Sequence, residues 1–436
     1  MRRDNVGKLQ RRLWAAAKQS EARRFHALYD RIYRSDVLWE AWRRVRANKG
    51  AAGVDNQTLA DVESYGVDRL LTELAVELRE GRYRPAPSRT VEIPKPAGGV
   101  RPLGIPTVRD RIAQQAAKLV LEPIFEADFH SVSVSYGYRP KVSATDALER
   151  VRVGFIEGRC WVTEIDIRSF FDSIDHDVVM GLVRRRVSDR RVLKLVRKWL
   201  EAGVMAGGVA LETVAGTPQG GVLSPLLANI VLHEVDRRWD EHSDGVLVRY
   251  ADDAVALCRS RGQAERAMAR FQHLLGGLGL ELHPAKSRIV DLREGREGFD
   301  FLGCHFRARM SGPMWERGIR RYYLHRWPSQ RSMKQVRAKI RYLTRRSRIH
   351  ADIRDVISDL NPVLRGWGNY YRTGNAAEKF NQLDWYVVAR LQRLMTKRYG
   401  RNLHAGQWEA WTRPFFEAHG LYRLRGTVRY PTPRRA

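Results

Sequence analysis

Two short apolar runs, Val246–Val248 and Ala254–Leu257, flank the segment Arg249-Tyr-Ala-Asp-Asp253. Apolar runs of this length on either side of a polar turn predict two β-strands joined as a hairpin. The hairpin places two adjacent carboxylates, Asp252 and Asp253, at its tip. Carboxylates only a few ångströms apart repel each other, so one becomes protonated unless a positive charge lies nearby. A divalent cation would supply that charge.

A third carboxylate, Asp166, lies near the end of the segment Cys160-Trp-Val-Thr-Glu-Ile-Asp-Ile167, whose alternation predicts a half-buried strand. Three carboxylates suit Mg²⁺, which prefers oxygen ligands and leaves positions open for substrate phosphates. Two such ions activate a hydroxyl and stabilise a leaving pyrophosphate in nucleotidyl transfer. An Asp-Asp pair by itself is common and usually forms a solvated turn, so the interpretation depends on the surrounding segments.

The charge of the chain indicates a polyanionic partner. Its 436 residues include 78 Lys and Arg against 49 Asp and Glu, a formal net charge of +29. Nucleic acid phosphate commonly neutralises such an excess. The alternative is a solvated arginine-rich surface. Clustering argues against that alternative, because fourteen Lys and Arg residues stand against one acid, Glu316, between His305 and His350.

Several classes of protein are excluded. No stretch approaches the roughly 20 apolar residues that a membrane-spanning helix needs, and the first residues lack the apolar core of a secretory signal. We therefore expect a cytoplasmic protein without a membrane partner. The three cysteines, Cys160, Cys258 and Cys304, form no C-x-x-C pair, which excludes a zinc ribbon and a disulfide framework.

Periodicity divides the rest of the chain into local elements. The first sixty residues have helical spacing, Gly81–Pro106 predicts short strands with Ala97-Gly98-Gly99 as a hairpin turn, and Thr107–Phe125 predicts a helix. The tail beyond Gly400 ends in Pro and Arg, and we expect it to be poorly ordered. Two apolar stripes predict helices after Gly303: Met333, Val336, Ile340 and Leu343, then Phe380, Leu383, Val387, Leu391 and Leu394.

Seven segments follow one another in a characteristic order. They are IPKPAGGVRPLGIPTVRDRIAQ from Ile93, SYGYRP from Ser135, EIDIRSFFDSIDHD from Glu164, GTPQGGVLSPLLANI from Gly216, RYADD from Arg249, LELHPAKS from Leu280 and GFDFLGCHF from Gly298. In these segments and their order the chain resembles the group II intron reverse transcriptases, also called intron-encoded maturases, from about Arg23 to about Arg398. The downstream segment LNPVLRGWGNYY from Leu360 resembles the maturase-specific thumb region, which separates this family from retroviral, retron and diversity-generating enzymes.

The resemblance implies an α+β fold, a right-hand polymerase with reverse transcriptase fingers and palm, followed by an α-helical thumb or maturase domain. The expected segments are an N-terminal helical extension (1–60), fingers and palm (61–305), the helical thumb or maturase (X) domain (306–400) and a basic C-terminal tail as a candidate DNA-binding segment (401–436). Many relatives end in an HNH-type endonuclease domain, often with cysteine pairs. Since the chain up to Ala436 has none, we expect an endonuclease-lacking form that uses nicked, single-stranded or replicating DNA.

The resemblance also implies the roles of the carboxylates. Asp166, Asp252 and Asp253 are the expected catalytic residues and ligands of two Mg²⁺ ions. The backbone carbonyl of Ile167 is expected as a further oxygen ligand. All three carboxylates are present, so nothing in the sequence indicates an inactive polymerase.

Substrate selection is implied in the same way. Phe171 matches the steric-gate aromatic of the family, whose ring collides with a ribose 2′-OH and so selects deoxynucleotides. The ordinary interpretation is a core aromatic, for which the neighbouring Phe170 is the better candidate. Further contacts with the incoming deoxynucleotide are expected from Lys95, Arg101, Gln219, Gly220 and Lys286.

The basic thumb helices are expected to follow RNA through phosphate contacts, which position a nucleic acid without reading its sequence. Trp367, Tyr370 and Tyr371 are candidates for stacking on bases, although at least two of the three are better explained as core residues. The candidate RNA-binding residues are Arg337, Lys339, Arg341, Arg345 and Arg346.

The implied function is that of an RNA-directed DNA polymerase that binds its group II intron RNA, assists splicing and copies the intron into cDNA during retrohoming. The expected partners are intron RNA, an RNA template with a DNA or RNA primer, target DNA and dNTPs, in a prokaryotic cytoplasmic ribonucleoprotein of undetermined oligomeric state. Two alternatives remain: a mainly non-catalytic RNA-binding splicing cofactor, and a domesticated reverse transcriptase in defence or repair. The complete carboxylate set favours the polymerase.

Overall fold

The computed structural model describes residues 2–94, 100–206, 209–211, 220–400, 403–404 and 406–430. Its contacts divide the chain into two units. The first unit is Met1–Ala147 with Thr163–Ile289, and the second is Leu148–Val162 with Val290–Ala436. Within the described residues the fold mixes helices with small sheets, which confirms the α+β class. None of the described helices is long and apolar enough to cross a membrane.

The elements up to residue 291 are as follows. The helices are α1 (Arg2–Gln19), α2 (Tyr29–Ile32), α3 (Ser35–Ala47), α4 (Leu59–Tyr65), α5 (Val67–Glu80), α6 (Val108–Phe129), α7 (Ala144–Ile156), α8 (Phe170–Ser173), α9 (His176–Arg186), α10 (Arg190–Glu201), α11 (Ser224–Asp236), α12 (Glu241–Asp244) and α13 (Arg261–Gly276). The strands are β1 (Ser88–Pro94), β2 (Val100–Ile105), β3 (Trp161–Ile165), β4 (Val204–Ala206), β5 (Val209–Leu211), β6 (Val246–Tyr250), β7 (Asp253–Cys258) and β8 (Arg288–Asp291).

Helix α6 is the centre of the first unit. It begins after Thr107, whose hydroxyl accepts a hydrogen bond from the backbone N–H of Asp110 at 3.0 Å, and a cap of this kind stabilises a helix start by about 1 kcal/mol. Burial raises the pKa of Asp110, which also accepts a bond from the Tyr83 hydroxyl at 2.5 Å. Helices α1 and α3 pack on α6, so the predicted helix lies in the core.

The first sheet has the strand order β2-β1-β4-β5. Strands β1 and β2 pair antiparallel from Arg89↔Ile105 to Pro94↔Val100, which confirms the strands of the predicted hairpin. The predicted turn, Ala97-Gly98-Gly99, lies outside the described residues. Strand β1 also pairs with β4 in parallel.

The second sheet has the order β6-β7-β3-β8. Strands β6 and β7 form the predicted hairpin, with pairs from Val246↔Leu257 to Tyr250↔Asp253. Helices α11 and α13 pack against each other, and α13 also packs on β7. The Thr163 hydroxyl donates to the Ala264 carbonyl at 3.0 Å, which fixes β3 to α13. The sheet therefore has a helical layer beneath it.

The second unit contains a third sheet and several long helices. Its strands are β9 (Gly298–Phe301), β10 (Cys304–Met310) and β11 (Tyr322–Pro328), in the order β11-β10-β9. Its helices are α14 (Gly312–Trp315), α15 (Gln330–Leu343), α16 (Ile353–Tyr371), α17 (Ala377–Tyr399) and α18 (Arg413–Ala418), with 3₁₀ turns at Arg293–Gly295, Arg346–Arg348 and Gln407–Ala410.

The apolar stripes predicted for this unit are confirmed. In α15, Met333, Val336 and Ile340 are buried, and Leu343 at the end of the helix is half-buried. All five residues of the second stripe, from Phe380 to Leu394, are buried in α17. Cys304 in β10 is also buried, and this burial raises the pKa of its thiol to about 12.

The aromatic residues at the end of α16 are packing residues. The Trp367 ring lies 4.8 Å from Tyr371 and 5.6 Å from Phe380. The Tyr371 hydroxyl is hydrogen-bonded to Ser332 at 2.6 Å, and the Tyr370 hydroxyl donates to the Leu302 carbonyl at 2.9 Å. These contacts favour the core interpretation for the three aromatics over base stacking.

The expectation of a poorly ordered tail is wrong for residues 406–430. Trp411, Phe416 and Leu424 are buried there. The carboxylate of Asp384 in α17 accepts hydrogen bonds from the backbone N–H groups of Leu424 and Arg425 at 3.1 and 3.0 Å. The apolar residues dispersed among Pro and Arg supply enough buried surface to order this segment.

Candidate active site

The Asp-Asp pair lies in a two-residue turn of the β6–β7 hairpin. The pair Tyr250↔Asp253 closes the hairpin, which leaves Ala251 and Asp252 as the turn residues. Ala251 has a φ of 58°, a left-handed conformation that costs a residue with a Cβ roughly 1–2 kcal/mol. Strain of this kind persists only where the surrounding contacts enforce it, so the turn must be held by its neighbours.

A buried arginine provides those contacts. Arg249 in β6 is 0% exposed and Asp236 in α11 is 1% exposed. Their side chains form a two-bond ion pair, in which Arg249 Nε donates to Asp236 Oδ1 at 2.8 Å. Arg249 Nη1 donates to the Ala251 carbonyl at 2.9 Å and to Asn229 Oδ1 at 3.1 Å. The guanidinium thus connects α11 directly to the backbone of the β6–β7 turn.

A separate segment, 134–137, supports the hairpin from its other edge. The Arg249 N–H donates to the Val134 carbonyl, and the Tyr136 N–H donates to the Arg249 carbonyl, both at 2.8 Å. Asn229 Nδ2 donates to the Gly137 carbonyl at 2.9 Å. Asn229 therefore contacts both the arginine and the supporting segment, and it joins the two supports.

Gly137 lies so close to the turn that a side chain has no room. A Cβ placed there would lie 2.4 Å from the Ala251 nitrogen and 2.9 Å from the Tyr250 carbonyl carbon. Both atoms belong to the backbone and cannot rotate away. The SYGYRP segment and the RYADD segment are therefore in backbone contact.

We expect Gly137→Ala to lower polymerase activity by about 10- to 100-fold, because a shift of about 1 Å in catalytic groups has effects of that size. Primer extension at saturating substrate measures the loss. Gly181→Ala is the matched control, since a Cβ at Gly181 meets nothing within 4 Å. Full activity in Gly137→Ala would show that the close contact does not position the turn.

Asp166 follows β3 directly and is anchored through its backbone. Its N–H donates to Ser287 Oγ at 3.2 Å, and its carbonyl accepts from the His283 N–H at 2.8 Å. Its carboxylate is 32% exposed, and Lys286 Nζ lies 3.3 and 3.4 Å from the two oxygens. The Lys286 ammonium therefore offsets the negative charge of Asp166.

The next residue, Ile167, forms a bridge with Leu282. The hydrogen bonds on either side of this bridge, His283 N–H to Asp166 and Arg168 N–H to Glu281, do not use the Ile167 carbonyl. Ile167 therefore lies directly beside Asp166, where its carbonyl is expected as a ligand.

The expected metal ligands are oxygen donors on neighbouring strands, since β3 precedes Asp166 and β7 begins with Asp253. Their donor type fits Mg²⁺. Within the described residues, which include all three aspartates, no three Asp, Glu, His or Cys side chains are grouped so that they could hold a metal ion. The structure brings Asp252 and Asp253 together in one hairpin and Asp166 together with Lys286, but it does not group the three carboxylates.

Phe171 lies in the short helix α8 and is 8% exposed, against 2% for Phe170. The two rings are 5.2 Å apart and meet edge to face. Phe170 is the more deeply buried of the two, as predicted. The preceding Ser169 has a φ of 45°, so the chain turns sharply between Asp166 and the two rings.

The other expected nucleotide contacts are only partly described. Lys95 and Gln219 lie outside the described residues, and of Arg101 only the backbone is described, paired with Ile93 in β2. Gly220 has a φ of 113°, and a Cβ there would lie 2.5 Å from the Gly104 carbonyl oxygen. The backbone of Gly220 therefore lies close to the backbone of strand β2.

The candidate RNA-binding residues lie in and after α15. Arg337 is half-buried, with its guanidinium 5.6 Å from the Tyr386 ring. Arg345 stacks on the exposed Tyr342 ring at 4.2 Å. The exposed candidates are Lys339, Arg341, Arg345 and Arg346.

Sequence reasoning missed Arg249, Asp236 and Asn229. A signal was present in the sequence, because an arginine inside an apolar strand and an aspartate near the end of the apolar helix α11 are both unusual unless they are paired. Their pairing depends on contacts that strand and helix periodicity does not specify.

Two protein families match the chain. The family "Reverse transcriptase (RNA-dependent DNA polymerase)" matches residues 93–306. The family "Group II intron, maturase-specific domain" matches residues 333–413. The first match includes Asp166, Asp252 and Asp253, and the second begins in α15.

Individual relatives agree with these matches. Protein YkfC of Escherichia coli (strain K12) is 36% identical over 344 residues, which cover 68% of this chain and 87% of YkfC. The group II intron-encoded protein LtrA of Lactococcus lactis subsp. cremoris is 38% identical over 214 residues, 49% of this chain but 35% of LtrA. The putative COX1/OXI3 intron 1 protein of Saccharomyces cerevisiae is 33% identical over 210 residues, 24% of its length.

The fold and the matched domains define a nucleic acid polymerase of the reverse transcriptase class. More narrowly, the chain belongs to the group II intron-encoded reverse transcriptase and maturase family. This membership makes it an RNA-directed DNA polymerase by class and confirms the resemblance derived from the seven segments.

Proposed function

We propose that this polymerase copies RNA into DNA by two-metal nucleotidyl transfer at Asp166, Asp252 and Asp253. The observation that carries the proposal is the anchorage of the catalytic turn, since the fully buried Arg249 donates a hydrogen bond to the turn residue Ala251. A solvated turn needs no such anchorage. Metal ligands must be held at fixed positions by surrounding contacts, and the hydrogen bond from Arg249 to Ala251 supports this requirement for the turn.

The chain's own contribution is to hold oxygen donors and balance their charge. Helix α11 holds the turn through Arg249, and residues 281–287 hold the Asp166 backbone. Bound Mg²⁺ ions supply the charge that activates a primer 3′ hydroxyl and stabilises a leaving pyrophosphate. Asp166 would hold an ion only in exchange for its present contact with the Lys286 ammonium, and the released ammonium would contact a triphosphate oxygen.

This exchange gives Lys286→Met two opposite effects. Without the competing ammonium, the Mg²⁺ concentration for half-maximal activity should fall, whereas KM for the dNTP should rise because a phosphate contact is lost. We expect each of these two quantities to change by about threefold to tenfold, which is the effect of losing one partly exposed charged contact. Lys194→Met on the exposed side of α10 is the control. A rise in both quantities would contradict the exchange.

We also propose that Phe171 selects deoxynucleotides. Replacing it with valine removes the ring that would meet a ribose 2′-OH, so incorporation of rNTPs relative to dNTPs should rise by about 10-fold or more, equal to more than roughly 1.4 kcal/mol of discrimination. Phe170→Val is the matched control, because it removes a ring of the same size from the core and leaves Phe171 in place. If rNTP incorporation relative to dNTP incorporation rose equally in both variants, the cause would be a general loss of packing around the two rings and not the loss of a steric gate.

The remaining nucleotide contacts are proposed for Lys95, Arg101, Gln219 and Gly220, with the two cations on the triphosphate. For the RNA partner, we propose intron RNA bound by the maturase-specific region, with Arg337, Lys339, Arg341, Arg345 and Arg346 on phosphates. We further propose that the protein assists splicing and takes part in retrohoming into target DNA. In this proposal its tail binds DNA, and the protein and its intron RNA form a cytoplasmic ribonucleoprotein.

Primer extension on an RNA template with Mg²⁺, supplied with either dNTPs or rNTPs, tests this function. We expect extension with dNTPs and little with rNTPs. Tight binding to a folded intron RNA without extension would instead favour the splicing-cofactor function. Flanking DNA without a folded intron, together with extension, would favour a domesticated polymerase.

A further inference from the structure

The β10–β11 hairpin of the second unit and its connection expose an unusual set of side chains. Of the large hydrophobic residues that are exposed, Met310, Trp315, Ile319 and Tyr323 lie within this one hairpin, between 40% and 50% exposed. Exposed apolar groups that cluster in this way mark interaction sites more often than single exposed residues do. We call residues 305–327 the outer hairpin.

The two strands of the outer hairpin sort their residues onto two faces. Phe306, Ala308 and Leu324 point inward and are buried, so strand alternation places their neighbours on the outer face. The outer-face pairs across the strands are His305↔Trp327, Arg307↔His325 and Arg309↔Tyr323. Each pair combines an aromatic ring on β11 with a basic or imidazole side chain on β10.

The rings and guanidinium groups of this face are already in contact. The Arg309 guanidinium lies 4.6 Å from the Trp327 ring centre, and the Arg321 guanidinium lies 5.5 Å from that of Tyr323. His305 lies 5.1 Å from Trp327. Burial, and then Arg309, lower the pKa of His325, so the charge of the face comes from the arginines.

The segment that connects β10 to β11 also combines an exposed aromatic ring with arginines. Trp315 is 49% exposed, and the Arg320 guanidinium lies 5.7 Å from its ring centre. From Arg307 to Arg321 the chain has five arginines and one acid, Glu316. A protein partner with an ordinary mixed surface would leave most of this charge uncompensated, whereas a phosphate chain would neutralise it.

We infer that the outer hairpin binds a single-stranded segment of RNA, with arginines on phosphates and unpaired bases stacked on Trp315 and Tyr323. Exposed rings favour single strands because paired bases are not free to stack on a side chain. The inference rests on the proposed function for its choice of RNA. The outer hairpin shares no residues with the candidate arginines of α15 or with the β6–β7 turn.

The test uses the full-length protein and a short mixed-sequence RNA that carries photoreactive thiouridine. In the wild type, crosslinks should map to peptides within residues 307–327. Trp315→Ala/Tyr323→Ala should lose these crosslinks and bind the single strand about 5- to 100-fold more weakly, as expected for one or two lost base stacks. Its affinity for duplex RNA of the same length should stay within about twofold, because no stacking is lost there.

A second variant isolates the phosphate contacts. Arg317→Gln/Arg320→Gln should reduce the slope of log affinity against log salt by about 1.4, since each phosphate contact to a single strand contributes about 0.7. Arg261→Gln/Arg266→Gln on α13 removes the same charge from an exposed helix and is the control. Trp385→Ala/Tyr65→Ala, at two other exposed aromatics, is the control for stacking.

The outcomes separate this inference from the proposed function. Primer extension with no crosslink to the outer hairpin overturns the inference alone. Crosslinks as expected with no extension overturn the polymerase proposal alone. Equal losses in the hairpin variants and their controls, or equal losses for single-stranded and duplex RNA in the aromatic variant, would also overturn the inference.

Discussion

Asp252→Asn/Asp253→Asn is expected to abolish primer extension, with a loss of about 10³-fold or more. Asparagine keeps the size of each side chain but removes the charge of two of the three proposed metal ligands. Metal stabilisation of the reacting groups contributes several kcal/mol, and each 1.4 kcal/mol corresponds to about tenfold in rate. Primer extension with dNTPs and Mg²⁺ measures the loss.

The same variant makes a second prediction about stability. Added Mg²⁺ should raise the Tm of the wild type, since a ligand that binds only the folded state stabilises it, and should not raise that of the variant.

Asp68→Asn/Glu80→Gln is the matched control, because it removes two negative charges from exposed positions on α5. It should retain full activity and the Mg²⁺ response. If Asp252→Asn/Asp253→Asn still extends primers at near wild-type rates, the catalytic assignment of the turn is wrong. If it loses activity while keeping the Mg²⁺ response, the carboxylates act without binding the metal that stabilises the fold.

The second large effect concerns Arg249, which we expect to act as a positioning residue for the turn. Arg249→Met leaves Asp236 as a buried charge without its partner, a change that costs about 3–5 kcal/mol in other proteins. The variant should therefore unfold at a lower temperature, and its activity alone would not distinguish positioning from a general loss of structure.

Arg249→Met/Asp236→Leu makes that distinction. Replacing both members of a buried ion pair by apolar residues of similar volume is often neutral for stability, so the Tm should recover. The hydrogen bond from Arg249 to the Ala251 carbonyl is still absent. We expect activity to remain about 10²-fold low, the effect of a misplacement of about 1 Å, with a higher Mg²⁺ concentration for half-maximal activity.

A double variant that regains both stability and activity would reduce Arg249 to a structural role. If the double variant instead regains its Tm but keeps a low activity and an altered Mg²⁺ dependence, the result would support a role of Arg249 in positioning the turn. Arg185 provides a control ion pair, since it contacts Glu234 in the same helix, α11, from an exposed position. Arg185→Met should change neither activity nor Mg²⁺ dependence.

Local patterns were enough to predict much of the fold. The hairpin around Asp252, the helix after Thr107 and the stripe from Phe380 to Leu394 each follow from residues near one another in sequence, because strand alternation and helical spacing are short-range properties. Segment order was enough to predict the family. The tail was predicted wrongly, because the burial of Phe416 and Leu424 depends on surfaces supplied by other elements.

What the sequence by itself determined was the set of chemical groups: the three carboxylates, the aromatic pair at Phe170 and Phe171, and the excess of arginine. Only the tertiary structure decided which groups meet. Lys286 reaches Asp166 across 120 positions of chain, and Gly137 meets Ala251 through the backbone. The physical reason is that a buried charge or a missing Cβ is explained only by its neighbours in space, and chain folding rather than local periodicity selects them.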